Sequence, residues 1–278
     1  MKYIIAMAGL LAALEGTVQA AEYVEEDGGW TDSFPVTGAQ PVLEIENIWG
    51  DIRVRPGAAG AIRVTVQEIR SAPDQKRFER SKETLQLNTE ADEGGVRLYV
   101  GNRDRYWHGR DNCRGCKVVY HFDVIVPPET LLDVSTVNEG RIDVSGVLGA
   151  VSAANVNGPI EVAGMRDCAE MNSVNGEVSL GFTRSPLANC TIETINGDIT
   201  LALPDDSGFD LAVDLFNGRL LTQLPVDSLA IPASVEHIET NGRHQYRIDQ
   251  KAGVRVGAGG PTFTVSSMNG DVRIQKTH

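Results

Sequence analysis

A short motif returns along the second half of the chain at nearly constant spacing. It consists of an apolar residue, Asn and Gly, followed by aliphatic residues that alternate with variable ones. The copies read VNGPIEV, VNGEVSL, INGDITL, FNGRLL and MNGDVRI and begin at Val156, Val174, Ile195, Phe216 and Met268. An earlier copy, VNEGRIDV, begins at Val137 with a Glu between its Asn and its Gly. Self-similarity of this kind is the signature of stacked repeats, so it limits the folds open to the chain more than any other feature.

The spacing of the motif distinguishes two architectures. The first five Asn residues are separated by 19, 18, 21 and 21 positions, and the last two follow after 24 and 28 (Asn138, Asn157, Asn175, Asn196, Asn217, Asn241 and Asn269). Asn-Gly tolerates positive φ and favours two-residue hairpins, which would give an antiparallel meander. A strand, a turn and a strand that return at constant spacing instead favour a β-solenoid whose coils stack about 4.8 Å apart. We therefore predict a solenoid of ~20-residue coils, with the meander as the alternative.

The constant letters of the motif are predicted to turn the chain and to pack inward. The aliphatic pairs should form the core, and the Asn side chains of successive coils should form a ladder. The variable letters should face outward, where a ligand would have to contact them. The predicted turn ladder comprises Asn138, Asn157, Gly158, Asn175, Gly176, Asn196, Gly197, Asn217, Gly218, Asn269 and Gly270.

The first half of the chain is also rich in strands. PVLEIENIWGDIRV, AIRVTVQEI, GVRLYV and KVVYHFDVIV alternate apolar and polar residues with period two, and IENIWGDIRV resembles a degenerate copy of the motif. One segment, about 71–87, predicts a single surface helix because it starts near Pro73 and contains no Gly. The predicted organisation is all-β: an N-terminal β-rich cap with one surface helix over 21–130, continuous with a solenoid over 131–278.

The N-terminus predicts export. Lys2 precedes an apolar run from Tyr3 to Leu14, and Val18 and Ala20 supply the small residues of a cleavage site. This pattern is typical of a secretory signal peptide over residues 1–20. The mature chain is then expected in the periplasm, on the cell surface or in the medium, without a transmembrane segment.

Export favours disulfides between the four cysteines, since oxidising compartments stabilise them. Cys168 lies seven residues before Asn175 and Cys190 six before Asn196, so the two occupy nearly the same station in successive coils. We predict that they bridge neighbouring coils, with two buried thiols as the alternative. The second pair, Cys113 and Cys116 in CRGC, predicts a tight disulfide. A redox pair is the alternative, but the thioredoxin-like context is missing.

The charge of the chain disfavours one class of partner and draws attention to one segment. A net charge of -13 repels phosphate backbones and argues against nucleic acid. The insertion at 101–117 departs from this balance, with five basic residues against two acidic ones and aromatic residues at its centre. It could bind an acidic glycan or an envelope partner, or fold onto the protein's own acidic surface. The candidate binding residues are Arg103, Arg105, Tyr106, Trp107, His108, Arg110 and Arg114.

Catalytic patterns are missing from the sequence. It contains no GxSxG nucleophile motif and no GxxxxGK phosphate loop, and its five His residues lack metal-ligand spacing. Asp143 and Glu161 should be neighbours on one outer face, a placement that acid–base catalysis or calcium could use, but an exposed charged face is commoner. We predict no enzyme activity, no cofactor and no metal.

The motifs together resemble the putative-adhesin family of bacterial envelope proteins, which has no assigned function. The matching segments are IENIWGDIRV, DVIVPPETLLDVSTVNEGRIDVSG and the copies VNGPIEV, VNGEVSL and INGDITL. The resemblance covers about Val42 to Ile274 and implies a right-handed single-stranded β-helix at the envelope or cell surface, with no catalytic residues to carry over. The insertion at 101–116 departs from the family pattern.

The functional prediction is a non-catalytic exported envelope protein, adhesin-like or a structural scaffold, that binds a surface protein or a glycan. One alternative is a carbohydrate-active β-helix enzyme, a lyase or a hydrolase. Another is an envelope-stress or signalling component that binds peptide or lipid. Exposed strand edges at the ends of a solenoid could also support self-association.

Overall fold

The computed structural model describes residues 23–101, 113–231, 234–240, 243–249 and 252–277. Three sets of predictions lie outside the described residues: the signal peptide at 1–20, Asn241, and most of the candidate binding loop. The loop residues concerned are Arg103, Arg105, Tyr106, Trp107, His108 and Arg110.

The described chain is all-β apart from one helix. Its elements are β1 Val24–Pro35, β2 Val42–Glu46, β3 Ile52–Pro56, β4 Ala61–Ala72, α1 Gln75–Thr84, β5 Leu87–Asp92, β6 Gly95–Val100, β7 Lys117–Val126, β8 Leu131–Asn138, β9 Ile142–Ser145, β10 Val151–Asn157, β11 Ile160–Met165, β12 Cys168–Asn175, β13 Val178–Phe182, β14 Cys190–Asn196, β15 Ile199–Leu203, β16 Phe209–Asn217, β17 Leu220–Thr222, β18 Val226–Leu229, β19 Ser234–Thr240, β20 Arg243–Asp249, β21 Ala252–Val256, β22 Thr262–Asn269 and β23 Val272–Lys276.

Two large mixed sheets contain all of these strands except β19 and β20, which pair with each other. The first sheet has ten strands in the order β1-β4-β7-β3-β9-β11-β13-β15-β23-β17. The second has eleven in the order β18-β21-β16-β22-β14-β12-β10-β8-β2-β6-β5. We call them the ten-stranded and the eleven-stranded sheet.

The sequence motif corresponds to one unit of this arrangement. In each unit, which we call a repeat, one strand of the eleven-stranded sheet ends at the motif Asn, and the next strand belongs to the ten-stranded sheet. Neighbouring repeats pair in parallel and in register: Ile160 lies between Ile142 and Val178, and Asn175 lies between Asn157 and Asn196. The repeats therefore do not form the antiparallel meander that Asn-Gly hairpins would have given.

The spatial order of the repeats differs from their order in the chain. The last repeat, β22/β23 with Asn269, lies between the repeat of Asn196 and the repeat of Asn217. At the other end, β2/β3 stacks directly on β8/β9, and β6/β7 stacks on β2/β3. The increasing intervals after Asn217 therefore mark a change in stacking order, which periodicity alone did not indicate.

Antiparallel pairing is confined, in the two large sheets, to the ends of the stack. Strands β4 and β1 extend the ten-stranded sheet beyond β7, and β5 extends the eleven-stranded sheet beyond β6. At the opposite end, β21 and β18 extend the eleven-stranded sheet beyond β16. Strands that do not carry the motif thus cover both ends of the eleven-stranded sheet and the N-terminal end of the ten-stranded sheet, whose other edge is β17.

The inward side chains of both sheets meet in one hydrophobic core. Burial of an aliphatic side chain stabilises a fold by about 1.5–3 kcal/mol, so each motif copy that buries a pair of aliphatic residues after its Gly adds to the stability of the stack. The aliphatic motif residues with a solvent exposure of 1% or less are Ile142, Val144, Ile160, Val162, Val178, Leu180, Ile199, Leu201, Val272 and Ile274.

The helix is shorter than the sequence predicts. It covers Gln75–Thr84 and begins after Asp74, whose Oδ1 accepts a hydrogen bond from the Arg77 backbone nitrogen at 2.8 Å. The flanking residues of the predicted segment belong to strands, because their backbone groups pair with β1 and β6. Phe78 and Ser81 are the buried residues of the helix.

A buried arginine connects the helix to the sheets. The guanidinium of Arg70, on β4, donates to Ser81 O at 2.6 Å, Leu85 O at 3.1 Å and the Tyr120 hydroxyl at 3.0 Å. Its Nε lies 2.6 Å from Glu68 Oε1, which balances the charge. Burial raises the pKa of Tyr120 to about 12, and this hydroxyl donates to Leu85 O at 3.0 Å. The cluster thus supplies hydrogen-bond donors to two carbonyls at the C-terminal end of the helix, those of Ser81 and Leu85.

Candidate binding surface

The corner between the two sheets explains why the motif contains Gly. A Cβ atom added to Gly176 would lie 2.0 Å from Gly158 O, and one added to Gly197 would lie 2.1 Å from Gly176 O. Gly270 has the same relation to Gly197 O, at 2.0 Å. None of these three residues has a positive φ. The backbones of stacked repeats approach so closely at this corner that only glycine fits.

The motif Asn side chains hydrogen-bond to one another along the stack. In each pair the Nδ2 atom of one Asn donates to the Oδ1 atom of its neighbour in the next repeat. The distances are 3.2 Å from Asn157 to Asn138, 3.0 Å from Asn175 to Asn157, 2.8 Å from Asn196 to Asn175, 2.8 Å from Asn269 to Asn196 and 3.0 Å from Asn217 to Asn269.

The interpretation of Asn as an inward residue was wrong, because most of the motif Asn side chains are exposed. The buried polar position lies two residues earlier, at Thr136, Asn155, Ser173, Thr194 and Ser267. Some of these side chains bond corner carbonyls: Thr136 Oγ1 donates to Gly50 O at 3.2 Å and Asn155 Nδ2 to Gly140 O at 2.8 Å. Thr194 Oγ1 and Ser267 Oγ have no hydrogen-bond partner among the described residues.

Both predicted cysteine pairs form disulfides in the structure. Cys168 and Cys190 are buried and join the starts of β12 and β14, with Cα atoms 5.4 Å apart. Cys113 and Cys116 have Cα atoms 5.3 Å apart, and Cys113 Sγ lies 3.0 Å from the carbonyl oxygen of Arg77 on the helix. Arg114, between the second pair, is exposed.

The outer face of the ten-stranded sheet is a network of ion pairs. Asp143 and Glu161 are in register on β9 and β11, so the two carboxylates are neighbours. Arg53 Nε lies 3.8 Å from Asp143 Oδ2, and Arg141 Nη1 lies 2.9 Å from Glu161 Oε2. The Arg side chains neutralise both carboxylates that an acid–base mechanism would need.

Aspartates continue this network toward the C-terminal repeats. Asp198 Oδ1 accepts from the Asp271 backbone nitrogen at 2.8 Å, and Asp271 Oδ1 accepts from the Arg219 backbone nitrogen at 3.0 Å. The hydrogen bond from Arg273 lowers the pKa of Asp198, and the one from Arg219 lowers the pKa of Asp271. These carboxylates stay ionised and hold successive repeats in register.

A different surface lies on the eleven-stranded sheet, beside the Asn ladder. The residue before each motif Asn faces outward, and these residues stack into an apolar column. We define the apolar column as Val137, Val156, Val174, Ile195, Met268 and Phe216, in spatial order. Phe216 is 80% exposed and Met268 54%, although both are large apolar residues. Five strand spacings give the column a length of about 24 Å.

A groove of about 650 Å³ runs beside the apolar column. Its other side is formed by the outward residues two positions earlier, which are small or polar. We define this flanking column as Ser135, Ala154, Asn172, Glu193, Ser266 and Asp214. Glu193 and Asp214 are exposed carboxylates on either side of Ser266, and no Lys or Arg is among the described residues that line the groove.

Further carboxylates lie beyond the groove on the same face. Partial burial, together with the carboxylates of Glu46 and Glu170, raises the pKa of Asp133, and Arg97 opposes this shift. Arg97 forms ion pairs with Glu44, at 3.1 Å, and with Glu46. The groove therefore lies in a field of negative charge.

Sequence reasoning missed this surface, although the motif contains its signal. The apolar residue before each Asn belongs to the constant part of the motif, which was interpreted as inward-facing. In a strand whose inward side chains lie two and four residues before Asn, the residue directly before Asn must face outward. A constant apolar letter at an outward position was the available indication of an exposed apolar column.

Within the described parts of the chain, no group of three or more His, Cys, Asp or Glu side chains is placed to hold a metal ion. The described helix is also too short and too polar to cross a lipid bilayer. The acidic segment LPDDSGFDLAVD, residues 203–214, does not direct its carboxylates at a common site. Asp205 lies 3.2 Å from Lys276 Nζ, and Asp210 lies 2.8 Å from Arg255 Nε.

No protein-family model matches the sequence, and no curated protein matches it. Solved structures to which the chain is similar include a putative cell adhesion protein from Clostridium sporogenes, with 9% identity and a TM-score of 0.41 over 90% of this chain and 100% of that one. A putative lipid binding protein from Parabacteroides distasonis has 11% identity and a TM-score of 0.29 over 90% and 97%. A putative adhesin from Bacteroides fragilis has 8% identity and a TM-score of 0.25, also over 90% and 97%. With TM-scores below 0.5, these likenesses carry no argument about function.

Proposed function

We propose that the chain is a non-catalytic, exported scaffold of the bacterial envelope with an adhesin-like function. It binds a surface component through the groove on its eleven-stranded sheet. The observation that carries the proposal is the apolar column. Val137, Ile195, Met268 and Phe216 are exposed and Val156 and Val174 are half-buried, whereas the inward apolar residues of the same strands are buried. A continuous exposed apolar strip on a folded protein is typical of an interaction site.

The same proposal assigns the repeats to a right-handed single-stranded β-solenoid, as the resemblance to the putative-adhesin family implies. In-register parallel pairing, the Asn ladder and the glycine corners support this assignment. The proposed organisation is a signal peptide over 1–20, a cap over 21–130 and repeats over 131–278. The last two are continuous, since β2 and β8 are hydrogen-bonded neighbours. The three-residue edge strand β17 is the proposed route to self-association.

The competing class is a carbohydrate-active enzyme that uses Asp143 and Glu161. Their ion pairs with Arg53 and Arg141 argue against it, because an Arg side chain already contacts each carboxylate that a substrate would have to reach. The charged face is better explained as packing between repeats.

The test measures binding and turnover with the same protein. Labelled mature chain, residues 21–278, is added to intact cells and to isolated envelopes, and bound label is measured beside product release from a glycan panel. We expect saturable binding that Phe216→Ser weakens, and no product. The control is Leu187→Ser, which changes an exposed Leu outside the groove. Product release that disappears in an Asp143→Asn, Glu161→Gln double variant would overturn the proposal in favour of the enzyme.

A further inference from the structure

The groove differs from the rest of the surface in combining an apolar strip with an unbalanced negative charge. On the ten-stranded sheet, the outward carboxylates at Asp143, Glu161, Asp198 and Asp271 are paired with Arg residues. In the groove, Glu193 and Asp214 face the solvent beside the apolar column, and the described lining holds no basic residue. A partner that fits must therefore supply both an apolar face and positive charge.

The dimensions of the groove select among such partners. The strands beneath it are hydrogen-bonded on both sides, so a ligand cannot add as a further strand and must lie on the face of the sheet. A length of about 24 Å corresponds to about 16 residues of α-helix. The pitch of a helix, about 5.4 Å, is close to the strand spacing of about 4.8 Å, so successive turns can contact successive repeats.

We propose that the groove binds an amphipathic α-helix of a partner polypeptide, with its apolar stripe on the apolar column and its Lys or Arg side chains beside Glu193 and Asp214. This rests on the proposed binding function and specifies the chemistry of the partner. The small side chains Ser135, Ala154 and Ser266 leave room for the helix beside the column. The net charge of -13 attracts a basic partner and accelerates the encounter.

An acyl chain is the other occupant of suitable length. The anionic head group of a fatty acid or an acidic phospholipid would lie near Glu193, Asp214 and the further carboxylates Asp133 and Glu170, and like charges repel. The charge of the groove therefore favours the basic helix over an anionic lipid.

The test uses an 18-residue labelled peptide with Leu at helical spacing on one face and Lys at its borders, added to the mature protein and followed by fluorescence anisotropy. We expect binding that weakens as salt increases. We expect no binding of a matched peptide with Glu in place of Lys, or of one with a central Pro that breaks the helix. Phe216→Ser with Ile195→Ser should weaken binding about tenfold or more, since Phe216 is the most exposed side chain of the column and Ile195 lies within it.

The charge variant is Glu193→Gln with Asp214→Asn, which should weaken binding several-fold and flatten its salt dependence. The matched controls are Leu187→Ser and Glu177→Gln, which change exposed residues outside the groove and should leave binding unchanged. Unchanged circular dichroism and thermal midpoint will confirm that the groove variants are folded; the 80% exposure of Phe216 supports this expectation.

Three results would overturn the proposal. The first is equal binding of the Lys and Glu peptides, and the second is equal binding by wild type and the groove variants. The third is displacement of the peptide by oleate or by phosphatidylglycerol vesicles, which would assign the groove to acyl chains. If no peptide binds while the labelled protein still binds envelopes, the helix is wrong and the scaffold proposal stands. If envelope binding is also lost, both fail.

Discussion

The motif repeats and the N-terminal end of the stack are stabilised by different kinds of contact. In the repeats, the same small contacts return from unit to unit: a glycine against a carbonyl, an Asn against an Asn, and an inward aliphatic pair, which only the Asn217 repeat lacks after its Gly. At the N-terminal end, antiparallel strands and the helix meet around one arginine, whose contacts occur once. Stability in the repeats is therefore distributed, whereas at the N-terminal end it is concentrated.

This difference predicts how mutations will act. A substitution in one repeat removes one copy of a contact that its neighbours keep, and a substitution at Arg70 removes the whole cluster. Unfolding that spreads through the repeats in steps, and unfolding of the N-terminal end as one unit, would be the corresponding signatures in hydrogen exchange.

The largest effect is expected for Arg70→Met. The change leaves the partly exposed Glu68 carboxylate without its ion-pair partner and removes one donor from the buried Tyr120 hydroxyl and from the carbonyls of Ser81 and Leu85. Loss of one partner from a buried charged cluster costs about 3–5 kcal/mol of unfolding free energy. Urea unfolding measures the loss, and hydrogen exchange should locate it in α1, β4 and β7.

The control for Arg70 is Arg63→Met, which changes an exposed Arg on the same strand and should alter stability by less than about 0.5 kcal/mol. Equal urea midpoints for the two variants would show that the N-terminal end does not depend on the buried cluster.

The two disulfides are expected to differ between the two regions. Removal of Cys168–Cys190 by a double change to Ala opens a loop with a sequence separation of 22, whereas removal of Cys113–Cys116 opens one with a separation of 3. Loop-closure entropy gives losses of about 3 kcal/mol and about 2 kcal/mol, respectively. Thermal unfolding of both double variants measures the order, and a greater loss from Cys113–Cys116 would contradict it.

A smaller loss, about 1–3 kcal/mol, is expected for Gly176→Ala, because the new methyl group would overlap Gly158 O and force two repeats apart. Gly181→Ala is the matched control, since its added methyl group would lie 3.6 Å from the nearest atom, Ala163 Cα. Urea unfolding of the pair tests the corner directly. If Gly181→Ala costs as much as Gly176→Ala, close approach at the corner is not the reason for the conserved spacing of Gly in the motif.

The smallest effects, of opposite sign, are expected at two equivalent Thr residues. Thr136→Val removes a buried hydrogen bond to Gly50 O and should cost about 1 kcal/mol. Thr194→Val replaces a buried hydroxyl that lacks a partner among the described residues, and should be neutral or stabilising by up to about 1 kcal/mol. Thermal midpoints of the two variants measured side by side test the sign, and a loss at both sites would contradict the assignment.

The sequence predicted the parts of the fold that depend on period. The all-β class, the strands and the inward aliphatic pairs follow from alternation and from the motif, and the structure contains them. The stacking order of the last repeats could not be predicted, because Asn269 has the same local sequence whether it follows Asn196 or Asn217 in space. The Arg70 cluster could not be predicted either. Its members lie up to 50 residues apart in the sequence, and no repeated pattern marks them.

The groove could be predicted in part. The sequence shows an apolar residue before each Asn, but that residue faces outward only if the other side of the strand faces the core. The interpretation of the motif letters as inward-facing left this direction unrecognised. The placement of the two carboxylates of the groove had no sequence signal, because the insertion of β22 between β14 and β16 puts Glu193 and Asp214 on either side of Ser266 instead of side by side.

The position of the last repeat also determines the order in which the chain can be completed. Strand β16 pairs with β22 and β21, and β14 pairs with β12 and β22. The strands of the Asn217 repeat therefore cannot join the repeats that precede it until residues 262–276 have been synthesised. Synthesis delivers those residues after both of the strands that they join. A chain that ends early keeps the edge of β14 open, and an open edge is a site for aggregation. Strands β22 and β23 thus join the Asn217 repeat to the rest of the stack, and they cover the edge of β14 when they do so.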